Sequence, residues 1–268
     1  ETKGRDRKGW VCFCEFFGTA LFIFGIIETG IPISIPISLL ASIVIFGDIT
    51  GGHFNPAVTL GVWATLPNKG TNFIFMLMIM VAQILGGFAA IGFAYLGNFG
   101  KPDATIPIMA PVNYITGDKD WAPNELGYSM DLQVLINEIL CTFIFISVIL
   151  MVKGEHTAGD RSGIGAAMCV VLTLMCIIAA TNALGACFNP AVAIALTSNS
   201  LFMLPSDMKA GNAYLYHYLY AYILGPLTGG LLAGVFHNTV AHAYAPIDQP
   251  RRRSLDSEGK ENMLNTPY

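Results

Sequence analysis

The sequence predicts an all-α membrane protein of six transmembrane helices and two re-entrant half-helices, arranged as an inverted internal repeat. Three observations predict it: long apolar runs separated by clustered charge, two apolar segments too short to span, and a set of residue words that occurs twice in the same order. Of 268 residues, 54% are hydrophobic and only 12% are charged, with a mean hydropathy of +0.58. Soluble domains carry about 25% charged residues, spread over their surfaces. Here the charges gather at 3–8, 101–125, 153–161 and the C-terminus. The net charge of −4, with no basic patch interleaved with aromatics, sets nucleic-acid binding aside.

Six runs of membrane-spanning length lie between the charge clusters, at 10–29, 32–49, 71–96, 132–152, 163–181 and 213–237. Two shorter apolar segments remain, 55–66 and 189–197. At a rise of about 1.5 Å per residue each is at most about 18 Å long, against a hydrocarbon core of about 30 Å. Short apolar segments between full spans read as re-entrant half-helices. The organisation is therefore an N-terminal segment 1–9, a membrane domain 10–240 with repeats of about 10–97 and 132–240, and a tail 241–268 expected to be disordered. The basic run 3–8 before an apolar stretch looks superficially like a signal peptide, but the stretch is too long and more spans follow.

Six spans put both ends on one face. Eleven basic residues fall on that face, among them Lys8, Lys69 and Lys153, against Lys101, Lys119 and Lys209 on the other. Basic loops favour the cytoplasmic side, so both termini are expected there. The loop 97–131 is then external and is expected to be ordered over a mouth. All six cysteines except Cys187 sit in apolar spans, where a thiol behaves as a small hydrophobe. Their spacing suggests neither a disulfide framework nor a metal site, and no cofactor is predicted.

The halves echo one another. Glu15 and Thr19 in the first span match Glu138 and Thr142 in the fourth. The run 52–58 reads Gly-His-Phe-Asn-Pro-Ala-Val, and 186–192 reads Ala-Cys-Phe-Asn-Pro-Ala-Val. Residues 82–87 match 225–230, ending in a shared Gly-Gly pair. Three spans per half is an odd number, so the second copy is inverted in the membrane. Inverted repeats with broken helices place the site at the midplane, on the repeat interface.

The repeated motif is Asn55, Pro56, Ala57 and Asn189, Pro190, Ala191. Asn caps a helix by accepting a backbone N–H on its side-chain oxygen. Pro at the first helical position loses no hydrogen bond. The Asn amide nitrogen is then expected to donate into a pore, between two positive helix ends. Glu15 and Glu138 are carboxylates inside apolar spans, which is costly. They read as acceptors for backbone N–H groups that fix each half-helix; the rival reading is a proton relay in a carrier. His53 is read as lining the inner mouth, with a merely structural histidine as the alternative, and Asp48 as solvated at that mouth. Gly86, Gly87, Gly225, Gly229, Gly230 and Gly234 fit close helix packing. Cys187 is either a mercurial target beside the second motif or a packed small residue. Ser254, Ser257 and Thr266 in the tail are regulatory or without consequence.

Together these motifs resemble the aquaporin, or major intrinsic protein, family. The run 51–59 is close to that family's first signature, and Gly225 with Pro226 also fits. The resemblance covers about 10–240. It implies an aquaporin-like fold in the lipid bilayer, one pore per subunit and a homotetramer. In such pores positive half-helix ends are a known barrier to protons and cations. One departure matters: the family usually has Arg after the second Asn-Pro-Ala, and here that position is Val192. Carried over by position, the constriction falls on Ile35, Ile177, Ala186 and Val192. The Asp that follows in many glycerol-conducting members is Ala193. Loss of Arg, His and an aromatic ring widens the ring and weakens a charge barrier, yet four aliphatic side chains can also dewet and close it. The expected function is a passive channel for water and small neutral solutes such as glycerol. The alternatives are a poorly conducting structural or junction member of the same fold, and a secondary carrier. An enzyme is not expected: His156, His217, His237 and His242 lie in loops or the last span with no nucleophile or metal constellation around them.

Overall fold

A computed structural model of the chain describes residues 2–29, 31–97, 130–154, 163–185, 187–203 and 214–244. The helices are α1 Thr2–Thr29, α2 Ser34–Thr50, α3 Pro56–Thr65, α4 Lys69–Gly97, α5 Met130–Lys153, α6 Ile164–Thr181, α7 Pro190–Met203, the short α8 Tyr214–His217, and α9 Leu219–Tyr244. A turn of 3-10 helix, Asn182–Leu184, leads towards α7. Among the described residues there is no strand. Residues 98–129 of the expected external loop 97–131, the tail beyond 244, His156 and Ala186 lie outside the described residues.

Among the described residues, five helices (α1, α4, α5, α6 and α9) are long and apolar enough to cross a membrane. The other expected span, α2, has 17 residues, about 26 Å at 1.5 Å per residue. It starts at Ser34 because the chain turns just before it, with the Ser34 N–H on the Ile31 carbonyl at 2.9 Å. Pro36 falls in its first turn, where no intrahelical donor is lost. Gly51 ends it in the left-handed region at φ 86°, returning its N–H to the Gly47 carbonyl. Helix α1 begins before residue 10, since Lys and Arg are good helix formers. The second half-helix outruns the expected 189–197 and reaches Met203. Its extra turn carries the polar Asn199 and Ser200, but both are buried and Ser200 Oγ bonds the Leu196 carbonyl at 2.9 Å.

The packing repeats the sequence symmetry. Helix α1 packs chiefly on α4 and α2, and α5 on α9 and α6. The half-helices cross over: α3 packs most on α9, α7 most on α4. Close approach explains the glycines. A Cβ at Gly86 would strike the Phe16 carbonyl, and one at its repeat mate Gly229 the Ile139 carbonyl. A Cβ at Gly230 would strike the Ala57 carbonyl, so α3 is seated directly on the backbone of α9. The outer surface presents large apolar side chains such as Leu85, Ile144, Leu224 and Val235. That suits hydrocarbon rather than water.

Candidate pore site

Each half-helix is reached through a short connector of unusual backbone. Gly51 and Gly185 have φ of 86° and 83°; Phe54 and Phe188 have φ of 47° and 54°. A non-glycine residue in the left-handed region costs of order 1–3 kcal/mol and persists only where surroundings enforce it. The buried glutamates do so. Glu15 accepts the His53 N–H at 3.0 Å and the Phe54 N–H at 2.8 Å. Glu138 accepts the Cys187 N–H at 2.8 Å and the Phe188 N–H at 2.7 Å. Both carboxylates are fully buried, and these bonds offset part of the cost of removing them from water.

The connectors deliver two matching caps. Asn55 Oδ1 accepts the Ala57 N–H at 2.8 Å, and Asn189 Oδ1 accepts the Ala191 N–H at 2.9 Å. Pro56 and Pro190 open their helices, where their missing N–H costs nothing. The amide nitrogens then cross the repeat interface. Asn55 Nδ2 donates to the Phe188 carbonyl at 2.8 Å, and Asn189 Nδ2 donates to the Phe54 carbonyl at 3.0 Å. The two N-termini therefore meet, linked by reciprocal bonds. An NH2 group has two hydrogens: one of each ties the halves together, and the second is left for the donation into a pore expected from the sequence.

A cavity of about 50 Å³ lies against this junction, room for a few waters at about 10–15 Å³ each. Asn55, Asn189 and His53 supply polar groups to its wall; Phe22, Leu39, Leu174 and Leu196 make it mostly apolar. Ile35, Val192 and Cys187 also line it. Ile177 is buried in the core, and its neighbour Ile178 is the one on the cavity wall. Cys187 Sγ sits 3.1 Å from the Asn189 carbonyl. A second cavity of about 450 Å³ adjoins the first through Ile43, with Asp48, Gly51 and Lys153 on its wall.

Sequence reasoning missed three contributors. Gln83 Nε2 donates to Glu15 Oε2 and to Thr59 Oγ1, both at 2.8 Å. Thr59 Oγ1 in turn lies 3.2 Å from His53 Nδ1. Lys153 Nζ donates to the Gly51 carbonyl. Gln83 carried a usable signal, an amide in the middle of an apolar span. Thr59 and Lys153 carried none: the first reads as a helix residue after the motif, the second as one more basic residue at a span end.

A family profile described as Major intrinsic protein matches residues 8–237. An aquaporin Z of Photorhabdus laumondii subsp. laumondii is 29% identical over 195 residues, 70% of this chain and 78% of that protein. An aquaporin Z of Brucella melitensis is 34% identical over 153 residues, 51% of this chain and 62% of that protein. An aquaglyceroporin of Toxoplasma gondii is 35% identical over a shorter stretch of 96 residues, 32% of this chain and 36% of that protein. Among solved structures, the X-ray structure of the aquaglyceroporin from Plasmodium falciparum superposes with a TM-score of 0.64 at 20% identity, over 85% of this chain and 95% of that one. At that identity the likeness shows a shared fold.

Proposed function

Because the chain belongs to the major intrinsic protein family, we propose that it is a passive channel for water and small neutral solutes, with the Asn55–Asn189 junction as its central contact point. One observation carries this reading: the reciprocal bonds between the two Asn caps and the opposite connectors, made beside a cavity of water-holding size. Each Asn retains one amide hydrogen for a passing oxygen. A neutral solute can accept it. A cation arriving there would face two positive helix ends in an apolar surround.

Glu15 and Glu138 act as struts for the connectors. Their engagement with backbone N–H groups supports that role over proton carriage, and so a channel over a carrier. The apolar ring, read as Ile35, Ile177, Ala186 and Val192, is the permissive constriction that takes the place of an Arg-bearing one. The positions of Ile35 and Val192 on the cavity wall support it; Ile178 is the better candidate for the place given to Ile177. The protein works as a homotetramer, as the family resemblance implies, and both its termini are cytoplasmic, as the distribution of basic residues favours.

Stopped-flow light scattering on proteoliposomes tests the reading. Water, and at least one of glycerol, urea, ammonia and hydrogen peroxide, should cross well above the lipid background. Val192→Arg should retain water flux and reduce that of the larger solutes. Wild-type flux equal to lipid for all of these would overturn the channel. It would favour the poorly conducting structural reading, for which the mostly aliphatic cavity wall is the specific support.

A further inference from the structure

The cation that this pore lacks at its constriction has a counterpart elsewhere. Val192 leaves the start of the second half-helix uncharged. Of the residues lining the two cavities, Lys153 is the basic one besides His53. It is the last residue of α5, and its ammonium donates to the carbonyl of Gly51. Gly51 is the hinge where α2 ends and the first connector starts, with Gly52 also at positive φ. Two residues on, the connector is held by Glu15. The first connector is therefore pinned at its start by a cation and at its end by a carboxylate.

Among the described residues the arrangement has no twin in the other half. By the spacing of Glu15 and Glu138, the position equivalent to Lys153 is Gly30. The second connector is instead approached by a neutral donor, the Tyr222 hydroxyl, which bonds the Leu184 carbonyl at 2.8 Å. Repeat symmetry thus does not account for Lys153. Asp48 shares its cavity wall and is exposed to the same space. Among the described residues, the wall of that cavity carries one charge of each sign, Asp48 and Lys153, with the buried Glu15 behind the connector, while the adjoining cavity is mostly apolar.

We propose that Lys153 is a positioning and charge-setting residue of this mouth: it latches the first connector through Gly51, and its ammonium offsets the Asp48 carboxylate on the same cavity wall. The proposal rests on the channel reading for its charge-setting part only. A low-dielectric funnel focuses an unbalanced charge. With Lys153 neutralised, the Asp48 carboxylate would draw small cations into the entrance. With the latch cut, the amides of His53 and Phe54 would open more often.

The test uses the full chain in liposomes, with Lys153→Met, Lys153→Arg, Asp48→Asn and the double variant Lys153→Met with Asp48→Asn. Two quantities are measured: methylammonium entry relative to a neutral solute, and amide hydrogen exchange at His53 and Phe54. Lys153→Met should raise methylammonium entry severalfold and speed exchange about tenfold, while Lys153→Arg should match wild type in both. Adding Asp48→Asn should return methylammonium entry to the wild-type level but leave exchange fast, which separates charge from latch. Wild-type exchange in Lys153→Met would overturn the latch, and unchanged methylammonium entry the charge balance. If wild type passes no neutral solute, the channel reading fails by itself, and the exchange comparison still decides the latch. If Lys153→Met does not fold, Lys153→Gln supplies both readings.

Discussion

The two halves of the molecule place the same Asn cap by different means. In the second, Glu138 accepts two connector N–H groups, and among the described residues that is its whole set of donors. In the first, Glu15 makes the same two bonds and a third to Gln83, which also engages Thr59, which meets His53. At the repeat-equivalent positions the second half has Pro226, Ala193 and Cys187. Yet the connector angles and the cap bonds agree closely between halves. A carboxylate on two N–H groups is therefore enough to set the cap. The added polar network of the first half belongs to the chemistry of one mouth, not to the geometry of the junction.

The sharpest way to break this comparison is at the junction, where the halves are most alike. Asn55→Asp and Asn189→Asp each replace a donor by an oxygen facing a carbonyl about 3 Å away. An unmade buried bond of this kind costs about 1–3 kcal/mol, more when charged, so water flux in proteoliposomes should fall at least about tenfold. The loss should be equal in the two variants. A clear inequality would show that the junction is not symmetric in use.

Next in size is a difference of reactivity. His53 and Cys187 are equivalent by repeat and both lie on the cavity wall. A mercurial should block most of the flux in wild type and none in Cys187→Ser; His53→Cys added to that variant should restore the block, from the opposite mouth. Flux traces with and without a reducing wash would read this out. Persistent inhibition of Cys187→Ser would place the reactive thiol elsewhere, Cys176 being exposed.

The anchors should differ in stability. Glu138→Gln turns one acceptor into a donor facing a connector N–H, and should cost about 2–3 kcal/mol in thermal unfolding in detergent. Glu15→Gln should cost roughly half as much, because the Gln83 amide can turn its oxygen to the new donor. Equal losses would mean that Gln83 does not relieve the first half. The smallest effect is expected from Gln83→Leu, about 1 kcal/mol, with water flux close to wild type. A collapse of flux there would make the polar network part of the junction after all.

Much of this was legible in the sequence because the repeat is written in polar words. Asn55, Asn189, Glu15 and Glu138 stand out in apolar surroundings, and their order gives the inverted halves without any geometry. Segment ends were less legible. Helix α7 continues beyond 197 because Asn199 and Ser200 are polar yet buried, which reads as a stop in sequence. The wall of the cavity was least legible: Ile177 and Ile178 are the same residue type, and helix rotation alone decides which one faces inward. Lys153 was invisible for a different reason, since its partner is a backbone carbonyl that carries no residue identity.

The crossed seating of the half-helices has a consequence for assembly. Helix α3 rests on the glycine-lined face of α9, at Gly230 and Gly234, more than on its own repeat. Its resting place is thus made 173 residues after it, Gly230 against Ala57 and Gly234 against Gly61, in the last described helix. A nascent chain must keep the first Asn-Pro-Ala segment parked, with its apolar surface covered by something else, until the last span emerges. The seat of α3 is completed only when α9 packs, and a chain truncated before α9 would leave a plug without a socket.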